Sequence, residues 1–222
     1  MPRKSIPTPI EVATFRRRLL RWFRRHGRDL PWRRTRDPYH VLVSEVMLQQ
    51  TQVSRVAGFY GAFLQEFPTL PDLAAAAPTV VRERWEGLGY YRRAANLHRL
   101  AQELVAQGGT TLPPDLDALQ RLPGVGRYTA GAVLSFAFEQ PAAAVDTNVS
   151  RVIRRVFHPR LPRGGRHEQR VWETAERLVP RRGAATWAFN QGIMELGALV
   201  CTARVKRCGS CPVREGCRSR EE

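Results

Sequence analysis

A chain of 222 residues, 43% of them hydrophobic, can bury one large core or two smaller ones without disulfide support. Lysine and arginine total 36 against 20 acids, a formal charge of +16, so a polyanion is the natural partner and nucleic acid comes first; a coding bias toward arginine is the plainer source of the same excess. No run approaches the roughly 20 apolar residues of a membrane span, and Met-Pro-Arg-Lys-Ser at the start lacks the apolar stretch of a signal peptide, so a cytoplasmic protein, held near the nucleoid by its charge, is expected.

Apolar residues recur at helical spacing from Phe15 through Leu19 to Trp22 and Phe23, which predicts a first amphipathic helix. A second is predicted from Leu42 through Val46, Val53, Val56 and Tyr60 to Leu64. Prolines at 68, 71, 78, 113, 114, 123, 141 and 180 cut the remainder into helix-length segments. No stretch keeps the period-two alternation of a strand, so a nearly all-α fold follows. The basic stretch Leu161–Arg166, with two adjacent glycines, is the expected weak point of order in the interior.

Within the second helical run, Ser44-Glu45-Val46-Met47-Leu48-Gln49-Gln50-Thr51 breaks an apolar stripe with an acid and two amides. A buried polar group needs a partner, and burial favours the protonated carboxyl that a general acid requires. A structural Glu45 satisfied by an arginine is the bland alternative. Leu88-Gly89-Tyr90-Tyr91 carries two adjacent tyrosines, an aromatic core pair on the simplest reading, with one of the two expected to be buried and the other exposed.

Leu122-Pro123-Gly124-Val125-Gly126-Arg127-Tyr128 sets two glycines before a helix that is predicted to begin near Tyr128. Such a turn lets backbone approach a ligand and aims helix N-terminal amides at an anion. An ordinary interhelical turn is the alternative. Asp146 follows an apolar run and stands just before another helix, where an N-cap is the ordinary explanation.

All four cysteines, Cys201, Cys208, Cys211 and Cys217, fall in one segment with spacing C-x6-C-x2-C-x5-C. A disulfide framework would spread them along a shorter chain. Four soft thiolates from one loop suit either zinc or a 4Fe-4S cluster, and the single C-x2-C knuckle leans toward iron. Arg204, Lys206, Arg207 and Arg214 between them offer a basic face to phosphates.

From about residue 28 to 217 these segments resemble the endonuclease III and MutY superfamily of helix-hairpin-helix DNA glycosylases. The resemblance implies two helical lobes: a six-helix barrel at 30–141 containing the hairpin, and a terminal lobe of 1–29 with 142–222, closed by a 4Fe-4S loop at 201–217. The active site would lie in the cleft between them. It implies that Gly124 and Gly126 grip DNA backbone, and that a monovalent cation sits on the carbonyls of Gln120, Leu122 and Val125. Asp146 would stabilise the cationic sugar as the base departs, with Asn148 orienting it or a water. Glu45 would protonate adenine. Superfamily members that cut the strand carry a lysine where this chain has Tyr128, and the chain's two lysines, Lys4 and Lys206, are far from it in sequence. A monofunctional enzyme is therefore implied.

The same resemblance makes Gln50 a wedge beside the flipped nucleotide, flanked by Gln49 and Thr51, and Tyr90 a second wedge near the opposite base. It places Arg28, Trp32 and Arg33 near the adenine pocket, Leu48 and Tyr128 along its lining, and Gln191 on the edge of the base. Thr147 departs from the glycine common in MutY sequences. The chain ends five residues after Cys217, where the MutY pattern continues into a domain that recognises 8-oxoguanine, so either a catalytic core or a naturally short enzyme is expected. The substrate implied is double-stranded DNA with adenine opposite 8-oxoguanine or guanine, bound by a monomer. Short thymine glycosylases acting on T:G or U:G are the alternative, although they carry Arg-Arg where Gln49-Gln50 stand. A non-catalytic DNA-binding module with a structural cluster, or a zinc-bearing adaptor, would explain charge, hairpin and cysteines but not Glu45 and Asp146.

Overall fold

The computed structural model describes residues 6–162 and 164–220, and of residue 166 the backbone. Residues 1–5 and Arg163, in the stretch expected to be weakly ordered, therefore lie outside the described residues. The helices are α1 (Pro9–His26), α2 (Pro38–Leu48), α3 (Val53–Glu66), α4 (Leu70–Ala75), α5 (Pro78–Arg84), α6 (Arg92–Ala106), α7 (Leu116–Arg121), α8 (Arg127–Phe136), α9 (Thr147–Phe157), α10 (Arg166–Leu178) and α11 (Gly183–Leu199). Among the described residues, β pairing is limited to an isolated bridge of Cys201 with Lys206. None of these helices is long and apolar enough to cross a membrane.

The chain divides into two compact units, one built from both ends up to Arg28 and from Glu139, the other from Asp29–Phe138. The inner unit, Asp29–Phe138, holds seven α-helices, and the prolines at 71 and 78 each open a short one, α4 and α5.

In the inner unit, α2 packs against α3, α6 and α8. Asp37 caps it by accepting from the His40 amide at 2.9 Å, and Pro38 occupies its first turn. The expected single helix over 42–64 is in fact two, α2 and α3, and its apolar periodicity runs across the break. The cause is local: Gln50 adopts a positive φ of 57°, which no helix tolerates, and Gln49–Gln52 turn the chain before α3 begins. Nor is α2 amphipathic, since Val41–Met47 are all buried. Each apolar side chain in that run contributes about 1.5–3 kcal/mol on burial, enough to carry Ser44 and Glu45 inward with it.

In the outer unit, α1 and α9 both pack on α11, around Phe15, Leu19, Phe157, Phe189 and Leu196. A capping box between Thr8 and Glu11 starts α1. The Arg16 guanidinium closes α10 by donating to the carbonyls of Arg177, Leu178 and Val179 at 2.7–2.8 Å.

Candidate active site and DNA-contacting elements

Glu45 stands in the last turn of α2, only 4% exposed, and accepts a 2.5 Å hydrogen bond at Oε2 from the Tyr128 hydroxyl on α8. The carboxyl thus meets a phenol, not the arginine of the bland alternative, as its partner at that oxygen. A phenol brings no charge of its own, so this bond alone does not fix whether the carboxyl is ionised.

Gly126 caps α8 and begins that helix at Arg127, one residue earlier than expected. Gly124 has φ of 76°, and a Cβ there would lie 2.9 Å from that of Asn96, so both backbone and space demand glycine. At Gly126 a Cβ would meet nothing within 4 Å, so the N-terminus of α8 is open to a ligand approaching the backbone.

Tyr90 and Tyr91 are both exposed, at 57% and 41%, against the expectation of one buried partner. The reason is the turn that precedes α6: Gly89 and Tyr90 both adopt positive φ, which lifts the pair off the core, and Arg82 covers one face of Tyr91. Gln50 is exposed on its own turn, while Leu48, Gln49 and Thr51 are half-buried. Arg93, which sequence reasoning missed, lies beneath both turns and donates to carbonyls of each. Trp32 is a core residue, 6% exposed and edge-on to Tyr60, with half-buried Arg33 following it.

In the outer unit, Asp146 is the N-cap of α9: Oδ1 accepts from the Val149 amide at 2.7 Å. The ordinary cap is therefore present, and it does not exhaust the carboxyl. Asn148 Nδ2 donates to Oδ2 at 2.8 Å, Arg151 Nη2 donates to Asn148 Oδ1 at 2.7 Å, and Arg151 Nε reaches the Cys201 carbonyl at 2.8 Å. Burial pushes the Asp146 carboxyl above its ordinary range, partly offset by the Val149 amide and Asn148. Gly197 on α11 makes room for this network, since a Cβ there would sit 2.7 Å from that of Asn148.

Arg28 is committed to a partner the sequence did not reveal. Its fork donates to both oxygens of Glu195, at 2.6 and 3.0 Å, and Glu195 is 1% exposed. A one-turn step along α11 from buried Gln191 to Glu195 was the available signal.

The four cysteines line one pocket floored by Val152, Val156, Leu196, Val200 and Val213. Arg155 Nη1 donates to Cys201 Sγ at 3.3 Å and to the Thr202 carbonyl at 2.7 Å. Burial, with the neighbouring thiols, pushes Cys211 up to about 11. Among the described residues no group of three or more His, Cys, Asp or Glu is placed to hold a metal ion. In donor chemistry, four thiols on an apolar floor, with an arginine to meet thiolate charge, would suit an iron–sulfur cluster.

A family model described as HhH-GPD superfamily base excision DNA repair protein matches residues 43–180. The chain is 46% identical over 221 residues to the adenine DNA glycosylase of Homo sapiens, covering 95% of this chain and 40% of that protein. It is 41% identical over 214 residues to an adenine DNA glycosylase of Mycobacterium tuberculosis, covering 96% and 69%. A solved structure of a thermostable thymine-DNA glycosylase aligns with a TM-score of 0.85 at 32% identity, covering 95% of this chain and 96% of that one. The chain thus spans less than half the length of the human protein it matches.

Proposed function

Because this chain belongs to the HhH-GPD superfamily of base excision DNA repair proteins, we propose that it is a monofunctional glycosylase that hydrolyses the bond between adenine and deoxyribose where adenine faces 8-oxoguanine or guanine. The observation that carries this reading is buried Glu45 joined to the Tyr128 hydroxyl. A neutral purine is a poor leaving group, and proton delivery from a desolvated carboxyl corrects that. Tyr128 occupies the position at which an amine nucleophile would be needed for strand cleavage, and a phenol forms no Schiff base.

Asp146 serves the other half of the reaction. As the base departs, positive charge grows on the sugar, and a carboxylate held by Val149 and Asn148 stabilises it without having to reorganise. Asn148, fixed through its other end by Arg151, orients the carboxylate and a water. Gln191 and Arg28, both in the outer unit, act as base-reading and supporting groups. Gly124 and Gly126 present amides to a phosphate, and the carbonyls of Gln120, Leu122 and Val125 suit a monovalent cation. Cys201, Cys208, Cys211 and Cys217 would hold a 4Fe-4S cluster, which when bound fixes the loop that presents Arg204, Lys206 and Arg207 to DNA.

A second reading, excision of thymine or uracil from T:G or U:G, is favoured by the match in fold to the thermostable thymine-DNA glycosylase. One panel separates the two: duplexes holding A:8-oxoG, A:G, T:G and U:G, assayed for base release with and without alkali. Adenine release that yields strand breaks only after alkali is expected. Release confined to T:G or U:G sinks the adenine reading. Brown, iron-rich and zinc-poor protein is expected on purification.

A further inference from the structure

Arg93 is an expensive residue for α6 to bury. It is 8% exposed, its Nε has no hydrogen-bond partner, and among the described residues its guanidinium meets no carboxylate. Its acceptors are backbone carbonyls and a hydroxyl drawn from two separate turns. Nη1 donates to the carbonyls of Val46 at 2.9 Å and Met47 at 2.7 Å, and to that of Gln49. Nη2 donates to Thr51 Oγ1 at 3.0 Å and to the carbonyls of Gly89 at 3.1 Å and Leu88 at 3.3 Å.

The first set includes free carbonyls at the C-terminus of α2, where the helix dipole is negative and a cation is favoured. That is what stands in for a paired acid. In the second set, Thr51 belongs to the turn that carries Gln50, and Leu88 and Gly89 to the turn that carries Tyr90, whose ring lies 5.3 Å from the guanidinium carbon. Gln50 and Tyr90 are both non-glycine residues at positive φ, 57° and 49°. Such strain costs on the order of 1–2 kcal/mol per residue and persists only where surrounding contacts over-determine it. One side chain supplies those contacts to both turns.

The geometry points to Arg93 as a positioning residue that fastens the Gln49–Thr51 turn to the Leu88–Tyr90 turn, so that Gln50 and Tyr90 enter the duplex as one two-pronged wedge. This rests on the glycosylase reading for its use of DNA, but the fastening itself belongs to the protein alone. Lysine at 93 keeps the charge and loses the fork, because an ammonium cannot reach two turns in one plane. Methionine loses both.

The test uses the full chain in two arms. In hydrogen exchange without DNA, Arg93→Lys and Arg93→Met are expected to speed exchange at 49–52 and 88–91 together, by about tenfold or more, the weight of charge-assisted hydrogen bonds, with helix content retained. On a duplex with 2-aminopurine at the target position, the fluorescence rise on base extrusion is measured for Gln50→Ala, Tyr90→Ala and the pair, in wild-type and Arg93→Lys backgrounds. The two losses, each about tenfold for one stacking contact, are expected to be non-additive in wild type and additive with lysine. Loosening of the 88–91 turn alone, or equal additivity in both backgrounds, overturns the proposal. A wild-type protein that extrudes the base but releases no adenine sinks the glycosylase reading and leaves this one standing.

Discussion

The two carboxyls that matter sit in opposite surroundings. Glu45 is enclosed in a helix buried along Val41–Met47, with a phenol at one oxygen. Asp146 stands at a helix N-terminus where an amide and a carboxamide each donate to it, and an arginine steadies the carboxamide. On the proposed reading, two acids of nearly equal intrinsic strength take opposite tasks, Glu45 delivering a proton and Asp146 holding negative charge, its amide and carboxamide donors offsetting part of the burial that raises it. Environment assigns the role.

The sharpest break of that comparison is Glu45→Gln, which keeps shape and hydrogen bonding but has no proton to give. Single-turnover adenine release is expected to fall about 10²- to 10⁴-fold, with duplex affinity little changed. Asp146→Asn is expected to cost about 10²- to 10³-fold in the same assay. Asparagine still caps α9, so helix content should hold. Because burial raises the Asp146 carboxyl, its charge opposes folding once pH rises through that raised value. Asp146→Asn is therefore expected to raise Tm at neutral pH while lowering activity. The acid limb of the wild-type rate profile should lie above the ordinary aspartate value of about 3.9, and the variant should lack it.

Tyr128→Phe removes the donor to Glu45, and a loss of about tenfold in release is expected, the weight of one hydrogen bond to a charged or acidic group. Kinetics on the same duplex check it. Smallest at the site is Gly197→Ala, whose Cβ would press on Asn148. Overpacking of this kind costs about 1–3 kcal/mol, read as a lower Tm together with a modest fall in rate.

Residues whose meaning lies in local spacing were legible from sequence. The cysteine spacing, the glycines before α8, Asp146 before α9 and the acid within an apolar stripe each declare themselves within a few neighbours. Residues whose meaning lies in a distant partner were not. Arg93 is one arginine among many, and its acceptors at 46–51 are more than forty positions away. Glu195 finds Arg28 across 167 positions. The break at Gln50 was hidden because apolar spacing continues through it, and periodicity reports which face is buried, not whether the helix is continuous. Tyr90 and Tyr91 misled for a related reason: positive φ at Gly89 and Tyr90 decided their exposure, and composition does not carry φ.

The division of labour between Glu45 and Asp146 is tested most directly by giving the enzyme a base that needs no proton. An N7-alkylated purine leaves deoxyribose as a neutral base unaided. On a duplex containing it, release by Glu45→Gln relative to wild type should return close to parity, while the Asp146→Asn deficit should stay as large as it is with adenine. A Glu45→Gln deficit that is undiminished on that substrate would contradict the assignment of Glu45 as the proton donor.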